Sequence, residues 1–368
     1  MKPAAALATA LLVPSACAAQ RAHGGGEAMV ALQSMATARA AHTATALPDG
    51  RVLLVGGFGD DQGAPPVVEV FDPVRQRFTA LESRLEPRHS HTATPLADGR
   101  ILVTGGYGRG NRYLATTVLI DPRTGQATAG PDMLEARAGH EAVRLDDGRV
   151  LVIGGVGVGW TFLASAELYD PVANRFLPTG AMAEPRESHV ALRLHDGRVA
   201  VIGGHVGRRE ALRLQASIEV HDPATGRFTM LGVLREARHK HDAVVLPDGD
   251  LLVLGGADRR DSRGVLRSVE RIDPASGRSS PMPALARPRY KLRGTSIVLP
   301  DGRILVAGGA SRPEIYAPWS GASLVLEGPD RLPGLFSAAA LLADGSVLVS
   351  GGYGPAPDAG AGAWRIRP

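Results

Sequence analysis

The feature that most constrains the fold is a Gly-Gly doublet that returns seven times along the chain. The first four doublets are 49 residues apart, and the later intervals are 52, 53 and 43 residues. A period of roughly 50 residues is typical of propeller blades, because a repeat of that length supplies one small sheet. The doublets are Gly56-Gly57, Gly105-Gly106, Gly154-Gly155, Gly203-Gly204, Gly255-Gly256, Gly308-Gly309 and Gly351-Gly352.

Two kinds of turn divide each repeat into four apolar segments. In the first repeat, Asp49-Gly50 separates two apolar runs, and Asp72-Pro73 follows a third. Asp-Gly between apolar runs is a strong hairpin signal and predicts a turn in which both residues have positive φ. Asp-Pro predicts a second turn, since proline fixes its own φ. One repeat is therefore predicted to hold four short antiparallel strands: A before Asp-Gly, B ending at Gly-Gly, C before Asp-Pro, and D after it.

This arrangement resembles the kelch repeat, in which an Arg precedes strand A, strand B ends in Gly-Gly, and strand C is acidic and aromatic. The resemblance covers residues 27–368, and residues 1–26 lie outside it. It implies an all-β fold, a seven-bladed kelch-type β-propeller with four-stranded antiparallel blades in one domain. The aromatic that ends strand C in the family is kept at Phe71, Tyr169 and Tyr316 and replaced at Ile120, His221 and Ile272.

The seventh repeat has no strand D before the chain ends at Pro368. Its strands are predicted near residues 337–342, 347–350 and 363–366. Residues 29–32 stand before Arg39 at the same spacing at which residues 78–81, a predicted strand D, stand before Arg88. We therefore expect the N-terminal strand to pair with the C-terminal strands of the last blade, which would remove the free edges between the first and last blades.

The first residues predict export. Residues 1–19 combine one positive charge, a short apolar run and small residues, as a signal peptide does, and the run is too short for a membrane anchor. Residues 20–26 are interpreted as a linker. Cys17 is the only cysteine, and Ser15-Ala16-Cys17 resembles the end of a bacterial lipobox, in which the cysteine is lipidated. Simple cleavage after Ala18 or Ala19 is the alternative. The predicted locations are the periplasm, the outer membrane as a lipoprotein, or the medium.

The charge balance limits the partners. The chain has 41 basic and 37 acidic side chains, a net charge of +4. Nucleic-acid binding would need a concentrated basic stripe, so it is not expected. Contact with a membrane is expected only through a lipid on Cys17, and the protein is expected to be a monomer.

Topology predicts which face binds. Strands alternate in direction, so the D–A and B–C connections emerge on one face and the tight turns on the other. The B–C loops are longer and more variable, which is typical of binding segments. They carry Tyr107, Tyr113 and Trp160 together with several arginines. These aromatics are interpreted either as ligand-contacting residues or as packing between blades.

Two further series recur at the start of strand A on the same face. A histidine stands seven residues before the Asp of each Asp-Gly turn, and an arginine stands three residues before that histidine. In the last two repeats, the positions counted back from the turn hold other residues. The arginine position holds Lys291 and Gly334. The histidine position holds Gly294, which directly follows Arg293, and Ser337. The members are Arg39, Arg88, Arg137, Arg186 and Arg238, with His42, His91, His140, His189 and His241.

These series have two interpretations. They could form a polar funnel for an anionic ligand, since arginine binds carboxylate or phosphate with two hydrogen bonds and histidine adds a pH-sensitive donor. Alternatively, the repeat itself requires them for bonds between and within blades, as is common for residues duplicated in every repeat. A metal site is not predicted, because zinc needs about four converging ligands and residues on separate inner strands are too far apart. His89-Ser-His91 and His239-Lys-His241 could form smaller clusters, but they are not favoured.

The favoured function is a binding or interaction module, without a cofactor, for a carbohydrate, an anionic ligand or a protein partner. The alternative is a carbohydrate-active enzyme of the sugar epimerase or lyase type, because kelch-type propellers include a sialic acid epimerase and copper radical oxidases. The oxidase cofactor requires a Tyr crosslinked to a Cys, which the chain after the signal peptide cannot supply. No catalytic residue is predicted.

Overall fold

The chain forms a ring of seven antiparallel sheets, each with four strands. The computed structural model describes residues 28–59, 68–83, 85–328, 330–354 and 358–368. The predicted signal peptide, the linker 20–26 and Cys17 lie outside the described residues. Within the described part, no helix has the length and apolar character needed to cross a bilayer. The seven four-stranded antiparallel sheets confirm the predicted seven-bladed, all-β propeller.

The strands of each blade run from the central channel outward in the order A, B, C and D. Blades 1 to 3 consist of Thr43–Ala46, Val52–Val55, Val68–Asp72 and Arg77–Leu81; Thr92–Pro95, Ile101–Thr104, Thr117–Ile120 and Ala127–Ala129; and Glu141–Arg144, Val150–Ile153, Ala166–Asp170 and Arg175–Pro178. Blades 4 and 5 consist of Val190–Arg193, Val199–Ile202, Ser217–Asp222 and Arg227–Val233; and Asp242–Val245, Leu251–Leu254, Val269–Ile272 and Ser279–Met282. Blades 6 and 7 consist of Ser296–Val298, Ile304–Val306, Glu314–Ala317 and Ala322–Val325; and Ala338–Leu341, Val347–Ser350, Ala363–Ile366 and the N-terminal strand Met29–Ala31.

The B–C loops contain small elements of their own. Among the loop residues that the structure describes, two loops carry two-residue ladders, and four carry a single 3₁₀ turn. The ladders pair Val156–Gly157 with Thr161–Phe162 and His205–Val206 with Arg213–Leu214, and the turns are Arg109–Asn111, Val158–Trp160, Arg209–Ala211 and Asp261–Arg263.

The Asp-Gly turns differ from the prediction in one respect. Gly50 has a positive φ of 86°, but Asp49 does not belong to the residues with positive φ. The N–H of Gly50 donates to the carbonyl of Leu47 (2.9 Å), and the N–H of Leu47 donates to that of Arg51 (2.8 Å). This is an ordinary turn followed by one left-handed glycine, so only the glycine requires the special conformation.

The hydrophobic core is divided among the blade junctions. Strand B is buried along its whole length in every blade, because both of its faces meet neighbouring blades. Seven apolar clusters each join two successive blades, and the cluster between blades 7 and 1 contains Leu54, Phe71 and Leu348. Each blade therefore depends on its neighbours for burial.

The Gly-Gly doublet is required by the contact between blades. The N–H of Gly57 donates to the carbonyl of Arg88 in the next blade (2.9 Å), and the same bond recurs at all seven junctions. Both glycines of the first doublet have positive φ, and a Cβ added to Gly56 would collide with that carbonyl. The doublet thus allows two backbones to approach more closely than side chains permit.

The predicted closure is confirmed. Met29–Ala31 pairs with Ala363–Ile366 in antiparallel register, with Met29 opposite Ile366. Backbone bonds continue the pairing on both sides, from Arg367 N–H to the carbonyl of Ala28 and from Leu32 N–H to that of Ala363. The innermost strands of blades 7 and 1 are in contact, so the ring is complete.

Candidate functional site

The arginine series lies inside the blades rather than at the channel. Each member is at most 1 % exposed. Arg186 donates to the carbonyl of Gly203 (2.9 Å) and forms an ion pair with Glu219 on strand C of its own blade (2.5 Å). The second oxygen of Glu219 accepts the N–H of Ala183 in the D–A loop (2.7 Å). The same arrangement joins Arg39 to Glu69, Arg137 to Glu167 and Arg238 to Glu270.

Arg88 is the exception, because Val118 stands where blades 1, 3, 4 and 5 have the glutamate. Its guanidinium donates to the carbonyl of Thr116 (3.0 Å) and to its hydroxyl (3.1 Å), bonds that Arg137 also makes to Ser165 in addition to its ion pair. Burial lowers the pKa of Arg88 to about 10. The geometry of this series therefore favours the structural interpretation over direct contact with a ligand.

In blade 6 the series does not shift to Lys291, as the count from the turn suggested. Arg289 is the sixth member: it is fully buried, pairs with Glu314 and donates to the carbonyl of Gly308 (2.6 Å). Asp301 follows Arg289 by 12 residues, whereas Asp248 follows Arg238 by 10. Blade 6 thus carries a two-residue insertion between its arginine and its Asp-Gly turn. A count back from the turn therefore reaches Lys291 instead of Arg289.

The histidine series packs between blades. A Cβ added to Gly56 would lie 2.7 Å from Cε1 of His91, so each imidazole lies against the doublet of the preceding blade. His42 bonds Ser350 Oγ (2.9 Å) and His140 bonds Thr104 Oγ1 (2.9 Å). Burial holds the pKa of all five well below the ordinary value, and the nearby series arginines lower it further. These imidazoles are neutral at pH 7 and do not supply positive charge to the channel.

The predicted aromatic residues meet one another on the loop-bearing face. The rings of Tyr107 and Tyr113 are 5.1 Å apart, and those of Tyr113 and Trp160 are 5.9 Å apart. Tyr107 also stacks on His89, and the guanidinium of Arg208 lies over Trp160. This cluster lies beside the central cavity and does not line it.

The central cavity has a volume of about 1000 Å³ and is lined by residues of all seven blades. The side formed by blades 7, 1 and 2 presents small side chains such as Ala44, Thr92 and Ala338. The side formed by blades 4 to 6 has a net positive charge: its carboxylates are Glu187, Glu210 and Asp261, and its cations are Arg208, Arg209, Lys240, Arg259, Arg260, Arg263, Lys291 and Arg293. We call this cavity the funnel. Of the predicted site residues, Lys291 and Arg293 line it directly, and His42, His91, His189 and His241 contribute to its wall.

The rim of the funnel is a ring of left-handed residues, one from each blade. Backbone hydrogen bonds join six of the seven successive pairs, as from Gly139 N–H to the carbonyl of Ser90 (2.9 Å) and from Lys291 N–H to that of Lys240 (2.9 Å). Because the backbone is fixed in this way, the side chains at the rim are held in defined positions. The members are Ala41, Ser90, Gly139, Ser188, Lys240, Lys291 and Phe336.

Arg293 crosses the channel. It belongs to the insertion in blade 6, yet its Nε lies 2.6 Å from Oε1 of Glu141 in blade 3, and its Nη2 lies 2.7 Å from Oε2. Asp242 anchors the insertion by accepting the N–H groups of Gly294, Thr295 and Ser296 (2.8 to 3.1 Å). Burial raises the pKa of Glu141 to about 7, although Arg293 opposes the shift. Blades 3 and 6 are nearly opposite, so this ion pair spans the bore.

A chain of four ionisable side chains follows the wall between blades 4 and 5. Glu187 Oε2 lies 3.4 Å from Nε2 of His205, the two Nδ1 atoms of His205 and His239 are 3.3 Å apart, and Nε2 of His239 lies 3.4 Å from Oδ1 of Asp261. Lys240 also pairs with Asp261 (2.7 Å). Burial raises the pKa of Glu187 to about 7 and lowers that of His205 to about 3.

The sequence analysis missed Glu141, Glu187, His205 and Asp242, and it considered His239 only in the cluster His239-Lys-His241, which it did not favour. Glu141 and Asp242 directly follow a series histidine, where the first two blades have Thr43 and Thr92. Glu187 and His239 directly follow a series arginine, where the first and third blades have alanine. These residues could have been found in the sequence as departures from the repeat pattern. A residue that the fold requires recurs in every blade, so a residue that occurs in one blade alone is available for a particular ligand.

The copper radical cofactor does not fit these residues. It would require a cysteine beside a tyrosine, and the only cysteine of the chain, Cys17, is outside the described residues. In the part that the structure describes, no group of three or more His, Cys, Asp or Glu side chains could hold a metal ion.

Comparison with known proteins gives a structural match alone. No protein-family model matches the chain. No curated protein matches it either. Among solved structures, it is similar to a fungal alcohol oxidase of the AA5 family in complex with copper, with a TM-score of 0.71 and 18 % identity over 92 % of this chain and 75 % of the oxidase. At this identity the likeness shows that the two chains share the propeller fold.

Proposed function

We propose that this chain is an exported kelch-type propeller that binds a small carboxylate-bearing carbohydrate in its funnel. The observation that carries the proposal is the one-sided distribution of charge, with a basic wall on blades 4 to 6 facing a wall of small and hydroxyl-bearing side chains on blades 7, 1 and 2. A cavity of this volume lies at the upper end of small-molecule sites, which measure about 300–1,000 Å³. Its concave shape favours a small ligand over a protein partner.

Several cations of the basic wall are available to a ligand. Arg209, Arg259 and Arg263 are exposed and have no ion-pair partner among the described residues, whereas Arg260 is paired with Asp258. Arginine offers two parallel donors to a carboxylate, which makes the contact directional as well as strong. On the opposite wall, Thr43, Ser90 and Thr92 line the cavity, and their hydroxyls are bonded to His91, His89 and Thr104 respectively.

The first test compares two sugars that differ in one group. Glucuronate and glucose are titrated into the purified protein by calorimetry at low salt. We expect glucuronate to bind at least about tenfold more tightly, since a charge-assisted bond contributes about 1.5–3 kcal/mol. The double variant Arg259→Ala/Arg263→Ala should remove most of this preference. Arg123→Ala, on the opposite face, is the matched control and should change nothing. Equal binding of both sugars, or of neither, would contradict the proposal.

A second candidate function is acid–base catalysis on the same ligand. The favouring observation is Glu187, which lines the funnel with a pKa of about 7, raised by burial and opposed by Lys240, Arg208 and Arg293. Its carboxylate lies against Gly139, where any side chain would collide with it. A carboxyl group with a pKa near the working pH is suited to moving a proton, as an epimerase or lyase must do at the carbon next to a carboxylate.

Proton exchange with solvent separates catalysis from binding. Glucuronate and galacturonate are incubated with the protein in deuterated buffer, and the proton signal at the carbon beside the carboxylate is followed by NMR. Catalysis predicts loss of this signal with the wild type and its retention with Glu187→Gln. Unchanged signals for a sugar that binds in the calorimeter would leave the chain as a binding protein.

A further inference from the structure

The aromatic cluster of Tyr107, Tyr113 and Trp160 contains one residue that the fold does not explain. Trp160 has a φ of 64°, a left-handed conformation that a bulky side chain rarely adopts. The B–C loop of blade 2 has the same turn 49 residues earlier, and there the equivalent residue is Asn111, with a φ of 57°. Asparagine suits this conformation, whereas tryptophan is strained in it. Backbone strain of this kind is commonly found at ligand-binding sites.

The indole of Trp160 is also open to solvent. Trp160 is 41 % exposed, although its ring centroid lies 6.5 Å from that of Tyr107 and 5.9 Å from that of Tyr113. An aromatic side chain held against two others offers a rigid contact area and has little conformational entropy to lose when a ligand covers it. The C–H faces of a pyranose ring are apolar, so they pack against such a surface while the sugar hydroxyls stay in water.

The aromatic cluster adjoins the funnel wall. Arg208 lines the funnel, and its guanidinium lies over the Trp160 ring. Burial raises the pKa of Tyr107, and the carboxylate of Glu187, which also lines the funnel, raises it further. Two side chains of the funnel wall are therefore next to the rings of the cluster, and a ligand can reach both places at once.

A ligand longer than one sugar is expected to extend out of the mouth of the funnel. Arg293 and Glu141 form an ion pair across the bore, which obstructs passage through the centre of the ring. The mouth lies at the loop-bearing face, where Trp160 is exposed. A sugar linked to the one in the funnel thus lies over the rim, within reach of the aromatic cluster.

We propose that the aromatic cluster is a second sugar subsite, so that the ligand of the funnel is the acidic end of an oligosaccharide. The acidic sugar lies in the funnel against the basic wall, and the next sugar packs on the exposed part of Trp160. This inference rests on the proposed function, because the sugar in the funnel sets the position of the second one.

The test compares one sugar with two. Glucuronate, cellobiouronate (in which glucuronate is β-linked to glucose) and the α-linked counterpart of cellobiouronate are titrated into the purified protein by calorimetry at low salt. We expect at least one disaccharide to bind about tenfold more tightly than glucuronate, as a sugar that covers roughly 60 Å² of apolar ring surface should do.

Blade 2 provides the variant. Trp160→Asn places at this turn the residue type that blade 2 has there, so the loop should keep its backbone and the denaturation midpoint should not fall. The variant should bind the disaccharides no more tightly than glucuronate. Trp319→Ala is the control, because Trp319 is also exposed but lies on the tight-turn face, near Gly302. It should retain the tenfold difference.

Tryptophan fluorescence gives an independent measurement. The chain has three tryptophans, Trp160, Trp319 and Trp364, and only Trp160 belongs to the aromatic cluster. The tighter disaccharide should change the emission of the wild type and of Trp319→Ala, but not that of Trp160→Asn. The proposal is overturned if glucuronate binds and neither disaccharide binds more tightly, or if Trp160→Asn retains the difference. If no acidic sugar binds at all, the proposed function itself fails, and the second subsite fails with it.

Discussion

Replacing Glu219 with Val is expected to lower the free energy of unfolding by about 3–5 kcal/mol, because the change leaves a buried arginine without its counter-charge. Arg186 and Glu219 are at most 2 % exposed and 2.5 Å apart. The substitution also removes the acceptor for the N–H of Ala183, which ties the D–A loop to strand C. Chemical denaturation followed by circular dichroism measures the effect as a shift in the midpoint at an unchanged slope.

The double variant Arg186→Met/Glu219→Val identifies the cause of this loss. With both charges removed, most of the stability should return, since an apolar pair of similar volume avoids the desolvation of two ions. Blade 2 shows that a Val side chain fits at this position, although Val118 there stands beside a retained arginine, whose bonds to Thr116 match those of Arg186 to Ser217. If the double variant were as unstable as Glu219→Val, lost packing rather than an unpaired charge would be the cause.

The repeat architecture could be predicted from the sequence because backbone requirements recur in every blade. Gly-Gly marks each junction where two backbones touch, and Asp-Gly marks each turn, so counting them gave seven blades. The predicted strands at residues 347–350 and 363–366 agree with Val347–Ser350 and Ala363–Ile366. The details of the turn did not follow, since the dipeptide alone does not distinguish a turn with one left-handed residue from a turn with two.

The site was harder to predict because periodicity draws attention to the residues that repeat. The arginine and histidine series recur since each junction needs them, and the structure buries them between strands and blades. Counting back from the turn also misplaced the sixth arginine, because blade 6 has an insertion that holds Arg293. The argument against a metal considered the histidine series, whose members stand on separate inner strands, and the short clusters His89-Ser-His91 and His239-Lys-His241. His205 and His239 meet because a B–C loop contacts the next D–A loop, which a sequence does not show.

Interrupting the N-terminal strand is expected to have the second large effect. Met29 is 1 % exposed and belongs to the cluster between blades 6 and 7. Backbone hydrogen bonds join Ala28 to Arg367 and Leu32 to Ala363, and Val30 lies midway between them, opposite Arg365. Bonded pairs alternate in antiparallel strands, so the N–H of Val30 donates to strand C, whereas the N–H of Ala31 points away from it.

Val30→Pro should therefore open the ring, and Ala31→Pro should not. Proline at Val30 removes a ladder bond and holds the strand away from Ala363–Ile366, which costs at least about 2 kcal/mol. Strand C of blade 7 then has a free edge, so we expect a lower denaturation midpoint together with concentration-dependent association in sedimentation. At Ala31, an exposed position on an edge strand, proline removes an N–H that no strand accepts. Similar behaviour of the two variants would mean that the closing strand contributes through its side chains alone, because only the ladder bond distinguishes these neighbouring positions.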